Sequence, residues 1–126
     1  MKLNALFTIT AVLSVLFGLG FVLMPATLLS YYGVTTMPEA GLFNSRLLGT
    51  AFLSFAIISW LVRNSSGSSE LNAIVLAFAV GDIIGFVISL VYQLQGIANA
   101  LGWSTVAIYL LLGLGFGYFV WKKPGA

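Results

Sequence analysis

The sequence contains no cysteine and no histidine, and only three acidic residues. Without cysteine there is no disulfide and no thiol nucleophile, and without histidine the commonest general base and the commonest metal ligand are missing. The acidic residues lie too far apart in the sequence to predict a metal site, and haem would lack an axial histidine. No serine-nucleophile motif and no glycine-rich phosphate loop is present. We therefore expect no cofactor, no metal and a non-enzymatic protein.

Charged residues of either sign are scarce. They make up 6% of the 126 residues, whereas 60% are hydrophobic, and soluble domains usually carry about 25% charged residues. Such a chain has too few polar side chains to cover a surface that faces water. Its net charge of +2, without a basic patch, does not favour nucleic acid as a partner. We expect membrane lipid to be its main solvent and partner.

Four apolar runs are long enough to cross a bilayer, which takes about 20 helical residues. They extend over residues 3–24, 41–62, 71–95 and 98–121. Pro25 ends or kinks the first run, and residues 26–32 are expected along the membrane interface. The first run is too long for a secretory signal and lacks its cleavage site, so we expect an uncleaved span. The sequence predicts one all-α domain over residues 1–126, an antiparallel bundle of four transmembrane helices.

The cations indicate the orientation of this bundle. With four spans, both termini and the second connection lie on the same side of the membrane. These segments carry Lys2, Arg63, Lys122 and Lys123, whereas the first and third connections carry no lysine or arginine. The excess of cations on cytoplasmic loops predicts that both termini are cytoplasmic. The expected aromatic belts agree, with Trp60 and Trp121 on the inner side and Tyr31, Tyr32, Tyr92 and Trp103 on the outer side.

Asp82 lies near the centre of the third run. An acid at this depth costs about 2.5–3.5 kcal/mol on insertion scales, so we expect it to face the bundle interior. One interpretation is a proton or cation site or a ligand anchor; the other is a protonated side chain that donates a hydrogen bond between helices. Ser14, Ser54 and Tyr109 lie near the same depth on the other runs. Ser54 and Tyr109 are the expected partners of Asp82.

Arg46 is the second charge within a predicted span, about one and a half turns from the outer end. We expect its side chain to snorkel to the outer interface, with Glu39, Gln93 or Gln95 as a partner. The alternative is a direct pair with Asp82. At 1.5 Å of rise per residue the two levels differ by about 9 Å, so a water or a polar ligand head would have to bridge them.

Glycines are spaced for close helix packing. Gly81-x-x-x-Gly85 and Gly113-x-x-x-Gly117 predict contacts within the bundle rather than a dimer face, because small residues let helices approach in lipid. Further glycines in the first two runs are Gly18, Gly20 and Gly49. We expect the ten phenylalanines to pack or to face lipid rather than to form a pigment or cofactor pocket.

The order of short motifs along the chain is also informative. A proline-terminated first helix leads into Tyr31-Tyr32-Gly33, Arg46-x-x-Gly49 opens the second helix, Gly81-Asp82-x-x-Gly85 lies in the third, and Leu101-Gly102-Trp103 opens the fourth. This order resembles that of small bacterial four-helix membrane proteins of unknown function, loosely similar to DoxX-like proteins. The resemblance implies a four-helix fold in a bacterial inner membrane, singles out Arg46 and Asp82, and implies no established activity.

The function we expect is binding of a lipid-like or other small apolar molecule, or of a membrane partner. The candidate ligand-binding or ion-coupling residues are Asp82, Arg46, Tyr109, Ser54 and Gln93. One alternative is a small proton or ion transporter that uses Asp82 as the carrier. Another is an accessory subunit of a larger membrane complex, and self-association of the chain is also left open.

Overall fold

The computed structural model describes residues 2–122, which form five α-helices and no strand. The helices are α1 (Leu3–Leu23), α2 (Pro25–Tyr31), α3 (Glu39–Val62), α4 (Ser69–Leu94) and α5 (Gly102–Lys122). All except α2 are long and apolar enough to cross a membrane. The predicted all-α helical bundle is thus confirmed, and the chain is an integral membrane protein.

Local sequence explains where the helices begin and end. The chain leaves α1 at Met24, and Pro25, which has no N–H to donate, occupies the first position of α2. The Ser68 hydroxyl caps α4 by accepting a hydrogen bond from the Leu71 N–H at 3.0 Å. Helix α5 begins four residues later than the sequence predicted, because Gly96 adopts a φ of +77° and the following residues form turns.

The long helices form two closely packed pairs, α1 with α3 and α4 with α5. In the first pair, a Cβ atom built on Gly49 would lie only 2.8 Å from the Gly18 carbonyl oxygen. In the second pair, a Cβ on Gly113 would lie 2.8 Å from the Ile83 side chain. Helix α1 also contacts α5, whereas α3 and α4, which follow each other in the chain, make little backbone contact. The two pairs therefore meet along the side between α3 and α4 mainly through side chains, and we call this side the α3–α4 seam.

A hydrophobic core closes the end of the bundle that holds the N-terminus. Its buried members are Leu6, Phe7, Leu71, Val75, Ala79 and Phe116. At the same end, the Asn4 side chain donates a hydrogen bond to the Asn64 side chain at 2.5 Å. The segments that carry Lys2, Arg63 and Lys122 therefore gather at one end, as the orientation argument requires; Lys123 lies outside the described residues.

Asn99 holds the opposite end together. Its side-chain amide donates to the Tyr31 carbonyl at 3.0 Å, and its backbone N–H donates to the Tyr32 carbonyl at 2.9 Å. Gly33, with a φ of +84°, allows the connection after α2 to approach: a Cβ atom there would lie 3.2 Å from that of Asn99. We call this contact between two connections the Asn99 junction.

Candidate functional site

A cavity of about 730 Å³ lies between the two helix pairs. Its wall includes Phe78 and Leu112, which pack against the core, and reaches Tyr32 and Ala98, beside the Asn99 junction. Each long helix contributes one face at helical spacing, such as residues 10, 14, 17 and 21 of α1 and residues 105, 109 and 112 of α5. The space therefore follows the bundle axis from the hydrophobic core towards the Asn99 junction.

Phenylalanine rings form much of the wall. Phe17 of α1 lies 6.5 Å from Phe52 of α3 between ring centroids, and Phe55 of α3 lies 5.7 Å from Phe78 of α4. Phe21 also lines the cavity. We call these five residues the aromatic wall. The expectation was that phenylalanines pack or face lipid rather than form a pigment or cofactor pocket, and it stays a prediction. Spacings of four residues (Phe17 and Phe21) and three residues (Phe52 and Phe55) place these rings on the inward side of α1 and α3.

Asp82 lies on the cavity wall at mid-membrane depth. It stands 13 residues after the start of α4 and 12 before its end. Its Oδ2 atom is buried and has no hydrogen-bond partner among residues 2–122. The neighbouring Gly81 also lines the cavity, and a Cβ atom there would meet nothing within 4 Å. Asp82 therefore combines an unpaired, buried carboxyl oxygen with a position on the cavity wall, next to a glycine that leaves room for a ligand group.

Few other polar side chains share this space. Tyr109 lines the cavity, and its ring packs on Gly85, about one turn after Asp82 along α4. Thr10 and Ser14 of α1 are both buried on the wall, and Thr10 Oγ1 has no hydrogen-bond partner among the described residues. The structure thus brings Tyr109 and Ser14 to the same cavity as Asp82.

Ser54 and Gln93 lie elsewhere. The Ser54 hydroxyl donates to the Thr50 carbonyl of its own helix at 3.2 Å, and its side chain is exposed. The predicted contact between Ser54 and Asp82 is therefore not formed. The Gln93 side-chain amide donates to the Asn99 carbonyl at 2.9 Å, which supports the turn between α4 and α5.

Arg46 contacts the end of α1. Its guanidinium donates to the Val22 carbonyl, which has no donor within its own helix because α1 ends at Leu23. A cation at a helix C-terminus is also favoured by the helix dipole. The predicted pair with Asp82, direct or bridged, is not the observed arrangement: Arg46 is an exposed cap and does not line the cavity.

The four glycines predicted to pack fall into two kinds. Gly85 lies against the Tyr109 ring and Gly113 against Ile83, so both lie in the contact between α4 and α5. A Cβ atom built on Gly81 or Gly117 would meet no atom within 4 Å. Gly81 therefore leaves space in the cavity, and Gly117 makes no close contact within the described chain.

Sequence reasoning did not identify Thr10 or the Asn99 junction. Thr10 and Ser14, four residues apart and therefore on one face of α1, were the available signal that this face is turned inward. Asn99 gave no comparable signal, because its partners Tyr31 and Tyr32 are distant in sequence. Among residues 2–122, no group of three or more acidic, histidine or cysteine side chains is placed to hold a metal ion.

Comparisons with known proteins identify no relative of this chain. No protein-family model matches the chain, and neither a curated protein nor a solved structure does. The resemblance to DoxX-like proteins therefore stays a prediction, and the functional argument rests on the cavity.

Proposed function

We propose that the protein binds one lipid-like apolar molecule in the cavity between its helix pairs. The observation that carries this proposal is a space of about 730 Å³ with an aromatic wall and a few polar groups, among them Asp82 and Tyr109. Binding sites for small molecules typically measure about 300–1,000 Å³ and combine apolar walls with a few well-placed polar groups. Apolar contact supplies affinity in such a site, and the polar groups fix the orientation of the ligand.

The α3–α4 seam offers a route of entry from the membrane. Leu48 and Phe55 line the cavity and are 45% and 40% exposed, and α3 makes little backbone contact with α4. A molecule dissolved in the bilayer can enter sideways through this seam without crossing water. The gathering of Lys2, Arg63 and Lys122 at one end favours cytoplasmic termini, and the resemblance to small bacterial membrane proteins favours a bacterial inner membrane. We assign the protein a carrier, sensor or subunit role rather than catalysis.

Native mass spectrometry of the full chain released from lipid nanodiscs tests this proposal. We expect one bound apolar molecule per chain in the wild type and in Gly117→Leu, and none in Gly81→Leu. Both glycines have open surroundings, but only the leucine at position 81 would project into the cavity. Equal occupancy of all three proteins, or no bound molecule in any of them, would contradict binding in this cavity.

Proton transport is a second candidate, favoured by the unpartnered Asp82 carboxyl at mid-membrane depth. Intramembrane acids often mark ion pathways. Its test is a proton-flux assay in proteoliposomes under a pH gradient, comparing wild type with Asp82→Asn. Flux that depends on Asp82 would support transport; absence of flux in the wild type would leave binding as the function. The other alternative, an accessory subunit of a larger membrane complex, is tested by purification in a gentle detergent, which would reveal co-migrating subunits.

A further inference from the structure

We propose that the ligand is a lipophilic amine whose protonated head binds the Asp82 carboxyl while its apolar body lies against the aromatic wall. This inference rests on the proposed binding function and names the chemical class of the ligand. It requires a single acidic side chain that lacks a hydrogen-bond partner, no basic side chain on the same wall, and apolar volume beside it. The structure places all three features at Asp82.

The charge of the cavity favours a cation. Asp82 is the acid among its lining residues, and none of the cations that the structure describes, Lys2, Arg46, Arg63 and Lys122, lines it. A buried carboxylate without a counter-charge or hydrogen-bond donors is unfavourable. An alkylammonium head supplies both, since it carries a positive charge and N–H groups that can donate to the side of the carboxyl group that lines the cavity.

The space and the walls next to Asp82 suit such a head. Gly81 leaves the adjoining position empty, so a small group can reach the carboxyl. The aromatic wall extends to both sides of this level, with Phe78 on the core side and Phe21 on the side of the Asn99 junction, and aromatic faces attract cations as well as apolar chains. A linear or fused-ring apolar body would then lie along the bundle axis.

The same features disfavour other lipid heads. A fatty acid would place a second carboxyl beside Asp82, and no described arginine or lysine lines the cavity to receive it. An alcohol can donate one hydrogen bond but brings no charge, and charged hydrogen bonds are the stronger ones. The expected order of affinity is therefore amine, then alcohol, then acid.

Competition among three ligands of equal chain length tests this order. The full chain in zwitterionic nanodiscs is loaded with the neutral dye Nile red, which is displaced by dodecylamine, dodecanol or dodecanoic acid. We expect the wild type to prefer the amine over the alcohol by about tenfold or more, the range of a charge-assisted hydrogen bond. We expect Asp82→Asn to lose this preference and still bind dodecanol, and Asp82→Glu to retain it.

The outcomes distinguish failure of the amine assignment from failure of the proposed binding function. An equal amine preference in wild type and Asp82→Asn, or an acid that displaces the dye as well as the amine does, would overturn the amine assignment alone. Failure of all three ligands to displace the dye would overturn the binding function itself. If Asp82→Asn does not fold, the order of the three ligands on the wild type still decides, because it requires no variant.

Discussion

Replacement of Gly49 by alanine tests a contact in which the backbones of α1 and α3 approach each other closely. The new Cβ atom would lie 2.8 Å from the Gly18 carbonyl oxygen and 2.9 Å from the Val22 backbone nitrogen. Ordinary contacts begin near 3.4 Å, so α1 and α3 would have to separate locally by roughly 0.6 Å, since neither backbone atom can rotate away. Overpacking of this kind costs about 1–3 kcal/mol.

Gly117→Ala is the matched control, because a Cβ atom there meets nothing within 4 Å. Both variants gain alanine's helix propensity over glycine, up to about 1 kcal/mol, so their difference isolates the strain. The assay is reversible unfolding in mixed micelles with increasing SDS, followed by tryptophan fluorescence. We expect Gly49→Ala to be less stable than Gly117→Ala by about 1–3 kcal/mol. Equal stability of the two variants would refute the close α1–α3 contact.

Three further predictions concern the cap, the junction and the core. Arg46→Met should lower the free energy of unfolding by about 0.5–1.5 kcal/mol through loss of the bond to Val22; it should leave dye binding unchanged, and weakened binding would contradict its role as a cap. Asn99→Ala should speed amide hydrogen exchange of residues 95–101 in the folded protein, because two side-chain hydrogen bonds are lost; unchanged exchange would contradict the junction. Phe116→Ala should cost about 3–5 kcal/mol in the same SDS titration, because Phe116 is 0% exposed; a cost below that of Gly49→Ala would contradict its place in the core.

The fold follows from the sequence because hydrocarbon imposes simple requirements. Each span needs about 20 apolar residues whose backbone groups bond within the helix, and this length rule located the four long helices. Pro25 correctly predicted the break after α1. The start of α5 was misjudged because apolar residues also occupy the turns before it, where Gly96 and Asn99 determine the backbone path.

The site was only partly predictable, because depth in the membrane does not fix which way a side chain points. Asp82, Ser14 and Tyr109 lie at similar depths and reach one cavity. Ser54 was expected beside them, but its helix turns it outward to bond its own backbone. Arg46 was expected to meet a polar side chain, but it donates to the Val22 carbonyl near the end of α1 instead. Helix rotation depends on side-chain packing across the whole bundle, which hydropathy does not encode.

A crystal structure of the full chain grown in a lipidic mesophase, without added ligand, tests the central claim most directly. The account predicts elongated density between the helix pairs, with one end at the Asp82 carboxyl and its length against Phe52 and Phe78. Helices α3 and α4 packed side by side, with phenylalanine side chains filling the space and no room beside Asp82, would contradict it.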